Sequence, residues 1–259
     1  MREGAETCLP FSEIGGLVFS TRALMLGGVD FARAGASSVV DVAAEGMGLV
    51  PFLLFGLAML AARQKGSALT LLMALGLGLL LLGGASVILL QLQAVGLVRW
   101  ATQKMLHVWV KDAPDQAEAL VQDMKNLFSR RSRVAGGALL HAVCWFGGGG
   151  NVWIAYHMLG AKPRVMDAVA IEAILSGVMA IGFLVPGGLG VQELTYVGVG
   201  ALFGLPAHIS LALSLVRRAR DILIGAPALV AWQTLEAKNL RDVTGGLGNA
   251  HRYSRSTFP

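Results

Sequence analysis

The chain has 259 residues, of which 55% are hydrophobic and only 14% charged, with 34 glycines and a mean hydropathy of +0.64. A soluble domain is about one-quarter charged, so this composition excludes an ordinary water-soluble globule and points to an all-α polytopic membrane protein crossed by apolar runs of about 20 residues. The net charge of +5 does not imply a nucleic-acid partner, because the basic residues collect in the connections between apolar runs, as retention of Lys and Arg on the cytoplasmic side produces.

In chain order, the first residues carry Glu3, Glu6 and Pro10 and lack the basic and apolar regions of a cleavable signal. Residues 10–29 form a short, interrupted apolar segment that contains Arg22. Full spans are predicted at about 34–62, 67–93, 134–158 and 207–233, and the charge-free stretch Gly66 to Val98 exceeds the length needed to cross a bilayer. The connection 94–133 is basic. Within it Asp115 and Glu118 resemble a capping box, and Ala117, Leu120, Val121, Met124, Leu127 and Phe128 recur at helical spacing, which predicts an amphipathic helix on the membrane face. Residues 165–204 are two apolar arms, each too short to span, split by Val185-Pro186-Gly187-Gly188-Leu189-Gly190-Val191-Gln192-Glu193. Proline and glycines do not continue a regular helix, and freed backbone groups are tolerated at membrane depth only against protein or a wet cavity, so a re-entrant hairpin is expected. The membrane domain is placed at 1–235, and the basic tail 236–259 is expected to be disordered. Arg99, Lys104, Lys111, Lys125, Arg130, Arg131 and Arg133, with Lys238, Arg241, Arg252 and Arg255, outweigh Arg63, Lys65, Lys162 and Arg164 on the opposite connections. That asymmetry puts the middle connection and the C-terminus in the cytoplasm of a multi-pass inner-membrane protein.

At an offset of 176 residues the sequence aligns with itself: Pro10 with Pro186, Leu26 with Leu202, Gly28 with Gly204, Glu45 with Asp221 and Pro51 with Pro227. The spans that follow would run in opposite directions, so an inverted repeat is expected, a plan that transporters use with the site where the repeats meet.

Arg22, Asp41, Glu45, Glu172, Glu193, Arg217, Arg218, Arg220 and Asp221 all fall within these apolar segments. Each costs about 2.5–3.5 kcal/mol at a helix centre on insertion scales, so their accumulation calls for a reason. One is mutual pairing that fixes helix register. The other is an anion: Arg217, Arg218 and Arg220 have only Asp221 locally, and the backbone of Gly187, Gly188 and Gly190 offers N–H donors before Glu193, a combination suited to a phosphate or carboxylate headgroup. Arg22 joins this candidate substrate set, while Asp41, Glu45, Glu172 and Asp221 are candidates for charge pairing or proton coupling.

Gly147 to Gly150 is not followed by Gly-Lys-Ser/Thr, so no nucleotide-binding loop is indicated. His141, Cys144 and His157 do not form a metal-ligand pattern, Cys8 and Cys144 are too few for a disulfide framework, and no nucleophile and base stand at motif spacing. The expectation is a non-enzyme without metal or cofactor.

Leu9-Pro10-Phe11-Ser12-Glu13-Ile14-Gly15-Gly16, Arg22, Val39-Val40-Asp41 and the block Val185 to Glu193 resemble the lysylphosphatidylglycerol synthase transmembrane-region family, most closely its hopanoid-biosynthesis-associated HpnL branch. The resemblance implies a flippase-like membrane domain handling a lipid headgroup, with anionic phospholipid or hopanoid as partner lipid and a second copy of the chain or hopanoid-pathway enzymes as candidate protein partners. Members of that family usually carry further membrane segments ahead of the Pro10 block, and at this point the sequence departs from their pattern. Val42, at the position matching Arg218, sets the first copy apart from relatives that carry an arginine there. Two other functions fit the same residues: a non-transporting scaffold for envelope-lipid enzymes, and a secondary transporter of a small anion.

Overall fold

The computed structural model describes residues 12–63, 113–181, 185 and 188–255, which form seven helices and no strand among the described residues. They are α1 (Ser12–Leu26), α2 (Phe31–Arg63), α3 (Ala113–Ser129), α4 (Arg131–Met158), α5 (Val165–Ile181), α6 (Val191–Leu202) and α7 (Ala207–Arg255). The predicted span 67–93 lies outside the described residues, as does most of the first block of the resemblance.

Helix α2 is the organiser, packed against α1, α3, α4 and α5. It starts where Asp30 Oδ2 accepts the Ala32 N–H at 3.1 Å, which satisfies one of the open donors of the first turn. Its 33 residues give about 50 Å of helix, and among the described residues it alone is both long and apolar enough to cross a membrane. The predicted spans 134–158 and 207–233 fall inside α4 and α7. His141, Gly147 to Gly150 and Asn151 dilute the apolar stretch of α4, and the charges from Arg217 to Asp221 interrupt that of α7.

Small residues set how closely these helices pack. A Cβ on Gly48 would stand 2.6 Å from the Ala138 carbonyl oxygen of α4, one on Gly56 would stand 2.6 Å from Ala173 Cβ of α5, and one on Gly149 would stand 2.8 Å from Val169 Cα. The glycine-rich part of α4 therefore serves, at Gly149, as a contact with α5. The main core lies where the ends of α2 and α4 meet α5, α6 and the start of α7, around Leu60, Tyr156, Ile171, Leu175, Tyr196 and Leu213. Phe52, Val169 and Ala173 form a second cluster, with Phe52 and Trp145 rings 6.0 Å apart.

Helix α3 begins at Ala113, two residues ahead of the expected cap at Asp115, because Pro114 suits the first helical turn. Its apolar side is turned to protein: Val121 and Met124 are buried, and Leu120 sits over Gly35 of α2. Helix α7 runs on to Arg255. Leu235 to Arg241 is rich in good helix formers and no proline intervenes, so nothing local stops the helix after Gln233.

The offset of 176 recurs in the backbone. After α1, Gly27 N–H bonds the carbonyls of Ala23 and Leu24, Gly28 N–H that of Met25, and Val29 N–H that of Leu24. After α6, Phe203, Gly204 and Leu205 make the four corresponding bonds to Val199, Gly200 and Ala201. Both are glycine C-caps, with Gly28 at φ +86° and Gly204 at φ +78°. The same cap closes α4 at Gly160, so the cap alone is general, whereas its register in the α1–α2 and α6–α7 hairpins follows the sequence offset. Gly204→Ala forces an L-residue into the left-handed region and is expected to lower stability by about 1–2 kcal/mol, whereas Gly198→Ala, in open space inside α6, raises it by about 0.5–1 kcal/mol. Thermal unfolding of the detergent-solubilised protein distinguishes the two.

Candidate anion site

The α6–α7 hairpin packs against α5, and this arrangement gathers most of the intramembrane charges predicted from sequence. Glu172 faces inward from α5 because it shares a helix side with buried Ala168, Leu175 and Ser176. Tyr196 of α6 is fully buried, and Arg217 of α7 lies one turn beyond buried Leu213 and Ser214. The Arg217 Nη1 group donates to Glu172 Oε1 and, at 2.8 Å, to the Tyr196 hydroxyl. That hydroxyl donates in turn to Glu172 Oε2 at 2.8 Å, which closes a triad across three helices. Arg217 Nε is 3.9 Å from Asp221 one turn along.

Two further pairs flank the triad. Arg218 donates from Nη2 and Nε to Glu193 Oε1 at 2.7 and 3.0 Å, and Arg220 donates to Asp221 Oδ1 at 2.6 Å. The expected surplus of positive charge is thus not present: Glu172 and Glu193, remote in sequence, supply the carboxylates that Asp221 alone could not. The backbone donors are likewise engaged, since Gly190 N–H bonds Glu193 Oε2 at 2.9 Å and Gly188 N–H bonds the Val185 carbonyl. Gly187 lies outside the described residues. Further polar groups lie near the triad within this largely apolar core: Gln192 Nε2 donates to the Ser214 carbonyl at 3.0 Å, and Tyr156 of α4 shares a 3.1 Å bond with Ser210.

The remaining candidates stand elsewhere. Arg22 of α1 pairs with Glu236 of α7 at 2.5 Å, beside the Phe19–Trp232 ring contact, and so braces α1 against α7 rather than joining the triad. Asp41 Oδ1 is 3.1 Å from His141 Nε2 on α4, with Glu45 one turn further along α2.

A comparison with protein-family models matches residues 2–228 to the lysylphosphatidylglycerol synthase TM region. The chain belongs to the lysylphosphatidylglycerol synthase TM-region family. No curated protein and no solved structure matches it. Membership makes the protein a membrane protein.

Sequence reasoning missed one group in this family member. Asp167, buried in the first turn of α5, accepts from Arg63 at the end of α2 at 2.6 Å and from Arg164 at 3.1 Å, while the Arg63 guanidinium lies 5.6 Å from the Phe203 ring centroid. The hydrogen bond from Arg164 to Asp167 holds that exposed guanidinium above its ordinary pKa. The signal was available: an acid three residues after Arg164, at the start of an apolar run, is where the helix dipole favours a carboxylate.

Proposed function

We propose that the chain is a lipid transporter of the inner membrane, flippase-like, that lets a lipid headgroup cross the bilayer interior beside the α5–α6–α7 cluster. The observation that carries the reading is the Arg217–Glu172–Tyr196 triad, in which Glu172 and Tyr196 are buried, with two partly exposed arginine–carboxylate pairs beside it in a membrane-family bundle. A headgroup charge in hydrocarbon faces a Born cost of many kcal/mol, and a lined polar path is what a protein can contribute. Arg217, Arg218 and Arg220 would meet the phosphate, and Glu193 an amine or hydroxyl. The two hairpins are read as halves of an inverted repeat, supported by the shared offset of their caps and of Pro51 and Pro227, and the break before α6 as the turn of a re-entrant hairpin. The resemblance to the HpnL branch makes a hopanoid or its precursor the candidate lipid.

The full pairing of the arginines favours one rival, a scaffold whose charges fix helix register. Proteoliposomes carrying labelled lipid separate the two. Wild type is expected to translocate lipid faster than empty liposomes, with Glu193→Gln at least tenfold slower, in line with the loss of a charge-assisted contact worth about 1.5–3 kcal/mol. Equal rates for wild type, Glu193→Gln and empty liposomes contradict transport.

A further inference from the structure

Among the described residues, the three arginines of the cluster and its three carboxylates cancel. Arg217 holds Glu172 and touches Asp221, Arg218 holds Glu193, and Arg220 holds Asp221. A phosphodiester monoanion that enters this neutral cluster leaves one negative charge in excess inside the bundle, where an uncompensated charge is strongly unfavourable. Binding must therefore bring a proton, and the surroundings of the carboxylates decide which of them receives it.

Glu193 keeps the Gly190 N–H if Arg218 turns to a ligand, and its side chain is 20% exposed. Asp221, 24% exposed, stands between Arg217 and Arg220 and keeps one when the other leaves. Glu172 differs in burial and in what it keeps: its side chain is 5% exposed, its cation is Arg217, and when that cation leaves it retains the neutral Tyr196 hydroxyl with little solvent beside it. From the helices packed around it, Tyr196 of α6 and Tyr156 of α4 are the titratable groups that face it. On α2, Arg63 is bound to Asp167, five residues before Glu172, and Asp41 is bound to His141. On α7, Asp221 and Arg217 complete the set.

We propose that an anionic phosphodiester and the Glu172 carboxylate exchange places on Arg217, and that Glu172 takes up one proton from water as they do. The bond from Arg217 Nη1 to Glu172 Oε1 breaks, Nη1 donates instead to a phosphate oxygen, and the incoming proton resides on the released Glu172 oxygen. The Tyr196 hydroxyl keeps its bond to Oε2 throughout and holds the neutral side chain in place. Release of the anion reverses each change. The proposal rests on the transport reading above and adds its coupling: one proton travels with each headgroup charge.

The test is calorimetric titration of the full chain in nanodiscs near neutral pH, in two buffers of different ionisation enthalpy. The probes are dihexanoyl phosphatidylglycerol and, in a separate arm, dimethyl phosphate, neither of which titrates in this range. The wild type is expected to take up about one proton per anion bound, with affinity falling about tenfold per pH unit on the alkaline side. Glu172→Gln keeps hydrogen-bonding partners for Arg217 and Tyr196 and is expected to bind with no proton uptake and with an affinity independent of pH. Uptake with both probes supports the exchange and assigns recognition to the phosphodiester itself, whereas uptake with the lipid alone supports it and assigns recognition to the esterified headgroup. Wild-type binding without proton uptake overturns the exchange and leaves transport standing, as does undiminished uptake by Glu172→Gln. Absence of binding by either probe overturns the exchange together with the reading beneath it.

Discussion

Arg217→Ala is expected to lower stability by about 3–5 kcal/mol, because it leaves Glu172 a buried carboxylate without its cation. The Tyr196 hydroxyl remains as one donor to Glu172, but a hydrogen bond to a charged group is worth about 1.5–3 kcal/mol and does not offset a stranded charge. The loss should be relieved by pairing the change with Glu172→Gln, since the double variant buries no unpaired ion. Thermal or denaturant unfolding in one detergent, compared across wild type, the single variant and the double, reads this directly. A single variant as stable as wild type would mean that the triad is not formed in the protein. The double variant has a further use, because it retains the fold while removing the cation.

Gly48→Leu is expected to cost at least about 3 kcal/mol, the upper part of the range for overpacking. At Gly48 the first added carbon already meets backbone, the Ala138 carbonyl oxygen at 2.6 Å and the Ala142 nitrogen at 2.8 Å, and neither can rotate away. Helices α2 and α4 must move apart, and the 3.1 Å pair between Asp41 and His141 opens with them. Gly46→Ala is the control: its added carbon meets nothing within 4 Å, so the gain in helix propensity should leave stability unchanged or raise it by about 0.5–1 kcal/mol. Unfolding midpoints of the two variants check the contrast, and similar midpoints would mean that α2 and α4 do not cross where the structure has them.

The helical architecture was readable because its signals are local. Apolar runs and the amphipathic pattern around Val121 and Met124 each depend on residues within a few turns of one another. The offset of 176 was likewise carried by residues with special backbone roles, and it reappears as matched hydrogen bonds after α1 and α6. Partners of charged residues were not readable, since they depend on which helix faces which. Arg217 finds Glu172 across 45 positions, Arg22 finds Glu236 across 214, and no spacing rule connects either pair. One helix start was misjudged where a weak cap signal was given too much weight: Asp115 does not start α3 when Pro114 precedes it.

The central claim is that the arginine cluster acts on lipid and does not merely hold helices in register. Labelled-lipid translocation in proteoliposomes, comparing wild type with the Arg217→Ala/Glu172→Gln double variant after both are shown to be folded, tests it most directly. Translocation by the wild type and a rate at the level of empty liposomes for the double variant are expected. A folded double variant that moves lipid as fast as wild type would contradict it.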